Sequence, residues 1–77
     1  IVIQSLWRNT TSTEKLLLIL SQREQEVTQL LLQGMTYKEI ASCLSIERGT
    51  VQRHIHSIYA KLNIRNRAQL AYLFHSG

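Results

Sequence analysis

The stretch Glu47-Arg48-Gly49-Thr50-Val51-Gln52-Arg53-His54-Ile55-His56-Ser57-Ile58-Tyr59-Ala60-Lys61-Leu62 decides how the rest of the chain is read. Its apolar residues Val51, Ile55, Ile58 and Leu62 recur at steps of four, three and four. That period marks one buried stripe on an α-helix. At about 100° per residue, the opposite side carries Gly49, Arg53, His56, Ser57 and Ala60. Thr50 and Gln52 lie on the two flanks, with Lys61 near Thr50. No carboxylate follows Glu47 in this stretch. A helix wetted only by solvent mixes charges of both signs on its outer face. A helix that rests against phosphate is thin, polar and positive there.

Working upstream, Ser45-Ile46-Glu47 is a turn of three residues, preceded by a short helix. That helix starts with Thr36-Tyr37-Lys38-Glu39, a capping box in which Thr36 and Glu39 satisfy each other's backbone N–H. Ile40, Ala41 and Leu44 give it a core side. A second capping box, Ser21-Gln22-Arg23-Glu24, opens the helix before that, with Leu20 placed as a hydrophobic staple. Val27, Leu30 and Leu31 are its buried side. Gly34 supplies the left-handed residue that ends it, and Met35 the apolar contact that follows.

Downstream, Asn63 is expected to end the long helix in the left-handed conformation. Asn66 and Gln69 form a weaker capping box before a last helix whose Ala68, Leu70, Ala71, Tyr72, Leu73 and Phe74 point all round it. One core contact cannot bury all of these, so the N-terminal segment or a second copy of the chain must cover some. The expectation is an all-α, four-helix bundle-like domain with helices at about 22–33, 37–44, 48–62 and 67–75. Two helices joined by so short a turn make a helix-turn-helix.

The N-terminal residues 1–19 read as a segment or linker, with the domain proper at 20–77. Ile1 to Trp7 fits a short strand, a helix or the tail of an upstream domain, with Trp7 a packing residue. Asn9-Thr10-Thr11-Ser12-Thr13 reads as a linker, and Glu14 to Leu20 as either a short helix or an extended approach.

The 77 residues carry nine basic and five acidic side chains, a net charge of +4, which favours an anionic partner. A single cysteine forms no internal disulfide and fits a reducing, cytoplasmic setting. No apolar run is long enough to span a membrane. The chain does not begin with Met, so a fragment of a longer protein is a fair expectation.

The run Leu20-Ser21-x-Arg23-Glu24-x-Glu26-Val27, Gly34-Met35-Thr36, Lys38-Glu39-Ile40-Ala41-x-x-Leu44, Thr50-Val51-x-x-His54, Lys61-Leu62 and Arg65-Asn66-Arg67-Ala68-Gln69 resembles the LuxR-type (GerE-like) helix-turn-helix DNA-binding domain. The resemblance covers about residues 20–75 without gaps. It implies a four-helix fold, sequence-specific binding to double-stranded DNA, and regulation of transcription by a homodimer joined through the last helix. RNA polymerase is a further partner it leaves open. Carried over by position, Gln52, Arg53 and His56 correspond to base-facing residues. Thr36, Lys38, Thr50 and Lys61 correspond to phosphate contacts, and Leu70, Leu73 and Phe74 to the dimer interface. Arg suits guanine O6/N7, and Gln suits adenine N6/N7. Two departures stand out. Glu47 occupies the N-cap where the family usually has Ser, and Gln52 replaces a frequent Lys. Gly49, in the first turn, costs about 1 kcal/mol against Ala.

Other chemistries find no support. His54 and His56 diverge on a helix and cannot share a metal, and Cys43 has no suitably spaced partner. Glu24 and Glu26 also diverge, so they do not form a catalytic carboxylate pair. Glu24 belongs to a cap, and pairing with Arg67 is a further possibility. No phosphate-cradling glycine loop and no nucleophile–base pair is evident. The expectation is therefore no enzyme, no cofactor, no metal and no small-molecule ligand in this segment. Two alternatives share parts of the pattern. One is a sigma-factor region 4 module, which normally ends with its recognition helix. The other is a helix-turn-helix turned to protein binding.

Overall fold

The computed structural model describes residues 12–76, so the readings of Ile1 to Trp7 and of Asn9 to Thr11 fall outside the described residues. Among the described residues, five helices follow one another: α1 (Ser12–Ile19), α2 (Gln22–Leu32), α3 (Tyr37–Leu44), α4 (Arg48–Leu62) and α5 (Arg67–Ser76). The described residues are all-helical, as expected, with one helix more than the four anticipated. α1 settles the alternative left open for Glu14 to Leu20, and it takes in Ser12 and Thr13, which had read as linker.

Both capping boxes form. The Ser21 hydroxyl accepts from Glu24 N–H at 3.2 Å, and Glu24 Oε1 accepts from Ser21 N–H at 2.9 Å. Thr36 and Glu39 exchange the same pair of bonds at 3.1 and 2.8 Å. The third is incomplete. Asn66 Oδ1 accepts from Gln69 N–H at 2.9 Å, but Gln69 Oε1 returns to Arg65 N–H at 2.6 Å, one residue early. The hydrophobic staple does not form as such. Leu20 is buried, but the residue facing it in the helix is Gln25. The Gln25 side-chain amide donates to the carbonyls of Leu17 and Leu20 at 2.8 and 3.2 Å, tying the end of α1 to the first turn of α2.

Three helix ends close alike. Met35, Ile46 and Ile64 each donate an N–H to a carbonyl five residues back, those of Leu30, Ala41 and Tyr59. The residue before each is left-handed: Gly34 at φ 91°, Ser45 at φ 58° and Asn63 at φ 57°. This bond pattern requires that conformation, and an apolar residue follows it into the core each time. Gly34 and Asn63 were expected in this role. Ser45, which carries no such signal, was not.

The core is Leu20, Val27, Leu31, Ile40, Ala41, Val51, Ile55, Ile58, Leu62 and Leu70. All four residues of the α4 stripe are in it. α4 packs on α2 and α3, while α5 packs on α1 and α2. α1 therefore covers part of the apolar last helix, one of the two covers its composition called for.

Candidate nucleic-acid interface

α4 starts without a side-chain cap. Glu47 sits at the N-cap position in extended conformation, and its carboxylate makes no bond to the first turn. A Glu side chain is too long for the tight loop that Ser or Asp closes onto the N2 or N3 amide. Beyond it, Gln52, Arg53 and His56 are all exposed, and Thr50 is half-buried. The Arg53 guanidinium donates weakly to the Thr50 hydroxyl at 3.4 Å. His54, at the edge of the stripe, is half-buried, and Cys43 is exposed on α3. Lys38 is exposed on α3, next to Thr36, whose hydroxyl oxygen already accepts from Glu39. The outer side of α4 is thus open, basic and without carboxylates.

Ser57, assigned to that outer side, and Lys61, placed on its flank, both bond to the body of the domain. The Ser57 hydroxyl donates to Glu24 Oε2 at 2.6 Å, and Lys61 Nζ donates to Glu24 Oε1 at 2.7 Å. The Glu24 side chain is 7% exposed and that of Lys61 40%. Burial by itself would raise the Glu24 pKa. The hydrogen bonds from Lys61, Ser57 and the Ser21 backbone, with the Lys61 charge, reverse this and bring it from 4.5 down to about 2. Lys61, read as a phosphate contact, is therefore first of all the counter-ion of a buried carboxylate. Its partner lies 37 residues away, too far for any local pattern to announce.

The guess that Glu24 pairs with Arg67 is replaced by a different arrangement. Arg67 Nη2 donates to the carbonyls of Leu31 and Met35 at 2.6 and 2.7 Å, across the C-terminal end of α2. A cation is favoured there because the last carbonyls of a helix lack intrahelical donors. Arg67 thereby fastens the start of α5 to the α2–α3 turn.

Of the residues assigned to a dimer interface, Leu70 is the one enclosed by its own chain. Leu70 is fully buried within the chain, and Leu73 and Phe74 are half-buried against the same core. Positions 70, 73 and 74 form the inward stripe of α5, facing α1 and α2. The exposed side carries Ala68, Gln69, Tyr72 and His75, with Tyr72 71% exposed.

Among the described residues, no helix is long and apolar enough to cross a membrane, and no group of three or more His, Cys, Asp or Glu could hold a metal ion.

A family model described as bacterial regulatory proteins, luxR family, matches residues 18–74. The Escherichia coli protein YhjB is 41% identical over 66 residues, which are 84% of this chain and 33% of that one. The nitrate/nitrite response regulator protein NarP of Escherichia coli is 43% identical over 73% of this chain and 26% of its own. The spore germination protein GerE of Bacillus subtilis is 47% identical over 66% of this chain and 69% of its own. A solved structure of the response regulator StyR superposes with a TM-score of 0.77 at 36% identity, covering 96% of this chain and 37% of that one. The chain spans about a third of YhjB and about a quarter of NarP.

Proposed function

The chain belongs to the luxR family of bacterial regulatory proteins, and on that premise we propose that it binds double-stranded DNA and regulates transcription in the cytoplasm. The observation that carries this is the outer side of α4. It is exposed, basic and free of carboxylates, and it is held out by the buried stripe Val51, Ile55, Ile58 and Leu62. α4 enters the major groove, where Arg53, Gln52 and His56 read base edges. Thr36, Lys38 and Thr50 reach phosphates and set the register. Lys61 contributes to a phosphate only with the donors that Glu24 leaves over.

Two copies bind a two-fold site through the exposed side of α5, centred on Tyr72, with Leu73 and Phe74 at its edge. The role is binding, with no catalysis. The ordered α5 after the recognition helix favours this reading over a sigma-factor module, which normally ends with that helix.

Selection of bound duplexes from a random pool tests the proposal. The expected product is a palindrome with half-sites about one helical turn apart. Binding should weaken steeply with salt, and Arg53→Ala should abolish sequence preference. A chain whose preference survives Arg53→Ala does not read DNA through this face.

A further inference from the structure

We propose that Glu24 and Ser57 are positioning residues for DNA reading: they fix the rotation of α4 about its own axis, and base discrimination depends on them although neither touches DNA. The inference rests on α4 being the reading helix. Among the described residues, two kinds of contact hold α4 to its neighbours. The buried stripe Val51, Ile55, Ile58 and Leu62 decides which side faces inward. Apolar packing is non-directional and allows small rolls about the axis. The bonds to Glu24 are directional and short, at 2.6 Å from Ser57 and 2.7 Å from Lys61.

Arg53, Ser57 and Lys61 lie four apart along one row of α4, and side chains at that spacing sit one above another. The carboxylate holds two consecutive members of the row, and the third is the exposed arginine. A roll of the helix therefore moves the Arg53 guanidinium sideways across the groove, where paired bonds to one base tolerate little error. The carboxylate is itself held from the other side. Ser21 N–H donates to Glu24 Oε1 at 2.9 Å within the α2 capping box. The reference for the rotation is thus the first turn of α2. Lys61 is the weaker of the two holds on α4, because it is 40% exposed and phosphate competes for its ammonium. Ser57 keeps its hold when DNA is bound.

The test uses the 77-residue chain with two probes, a duplex enriched from a random pool and a scrambled duplex of the same composition. Ser57→Ala removes one oxygen and introduces a better helix former, so the chain still folds. Affinity for each duplex is read by fluorescence anisotropy. The ratio of the two affinities should fall about tenfold in Ser57→Ala and return in Ser57→Thr, which restores the hydroxyl. Glu24→Gln should lower the ratio as well, with folded fraction followed by circular dichroism.

A merely structural role lowers both affinities by one common factor. That result, or a ratio within twofold of the parent, overturns the proposal. Arg53→Ala separates it from the reading beneath it. If Arg53→Ala abolishes the ratio and Ser57→Ala leaves it, only the positioning proposal fails. If Arg53→Ala leaves the ratio intact, or the pool yields no enriched duplex, α4 is not the reading helix and both fail.

Discussion

Glu24→Gln is the substitution whose effect on stability can be worked out most fully. Gln keeps the size of the side chain and its ability to accept from Ser21 N–H, but removes the charge that Lys61 and Ser57 serve. The folded carboxylate has a pKa of about 2 against an ordinary 4.5. At 1.36 kcal/mol per unit that gap corresponds to roughly 3 kcal/mol. Lys61 is 40% exposed, and solvent screens its share, which brings the expectation to about 2 kcal/mol at neutral pH. For a domain of this size that lowers Tm by about 10 °C.

Because the folded-state pKa is depressed, the contribution is fully present above 4.5 and is lost as pH falls from 4.5 towards about 2. Gln does not titrate. Urea unfolding of both chains from pH 7 to pH 2 should therefore show a gap of about 2 kcal/mol that closes across that window. The exposed Glu39 is also held below the usual carboxylate range, by its Thr36 bonds, but it is present in both chains and cancels in the difference. Parallel pH profiles, or a Gln variant as stable as the parent at pH 7, would refute the reasoning.

Other substitutions test other parts of the structure. The Thr28 hydroxyl is fully buried and has no hydrogen-bond partner among the described residues, so Thr28→Val should raise stability by about 1 kcal/mol in denaturant unfolding; a loss would mean the hydroxyl does have a partner. Glu47→Ser should supply the missing cap of α4, adding about 1 kcal/mol, and tighten nonspecific DNA binding at low salt by removing a charge beside phosphate; an unchanged salt titration contradicts the second half. Leu70→Ala should cost about 3 kcal/mol in unfolding. Tyr72→Ala should leave the fold within about 0.5 kcal/mol and shift sedimentation towards monomer, and a dimer undisturbed by it places the interface elsewhere.

The parts legible in advance were those written locally. The α4 stripe needs only its own period, and Ser21–Glu24 and Thr36–Glu39 need only three residues of separation. Gly34 and Asn63 are residue types that favour the left-handed region. Ser45 is not, and its conformation is imposed by the Ile46-to-Ala41 bond that closes α3. α1 was ambiguous because Leu16 to Leu20 is apolar without a period. Leu70 was misplaced for a related reason. An apolar helix offers no contrast between its sides, so only α1 and α2 decide which one turns inward. The same limit hid the Glu24 site, since no spacing rule connects a carboxylate in one cap to a lysine 37 residues later. Reading Ser57 as outward and Lys61 as a phosphate contact was the consequence of treating α4 alone.

The three left-handed closures also bear on how this chain can vary. Residues 33–36, 45–47 and 63–66 are all that separates α2, α3, α4 and α5. Each connection is almost wholly occupied by the C-terminal closure of one helix and the entry into the next. None has slack to absorb an extra residue. An insertion that lengthened the following helix backwards by one position would turn it by about 100° and slide it about 1.5 Å, carrying every outward side chain with it. Divergence in this domain should therefore proceed by exchanging side chains at constant length, with insertions and deletions confined to the stretches outside the helical unit.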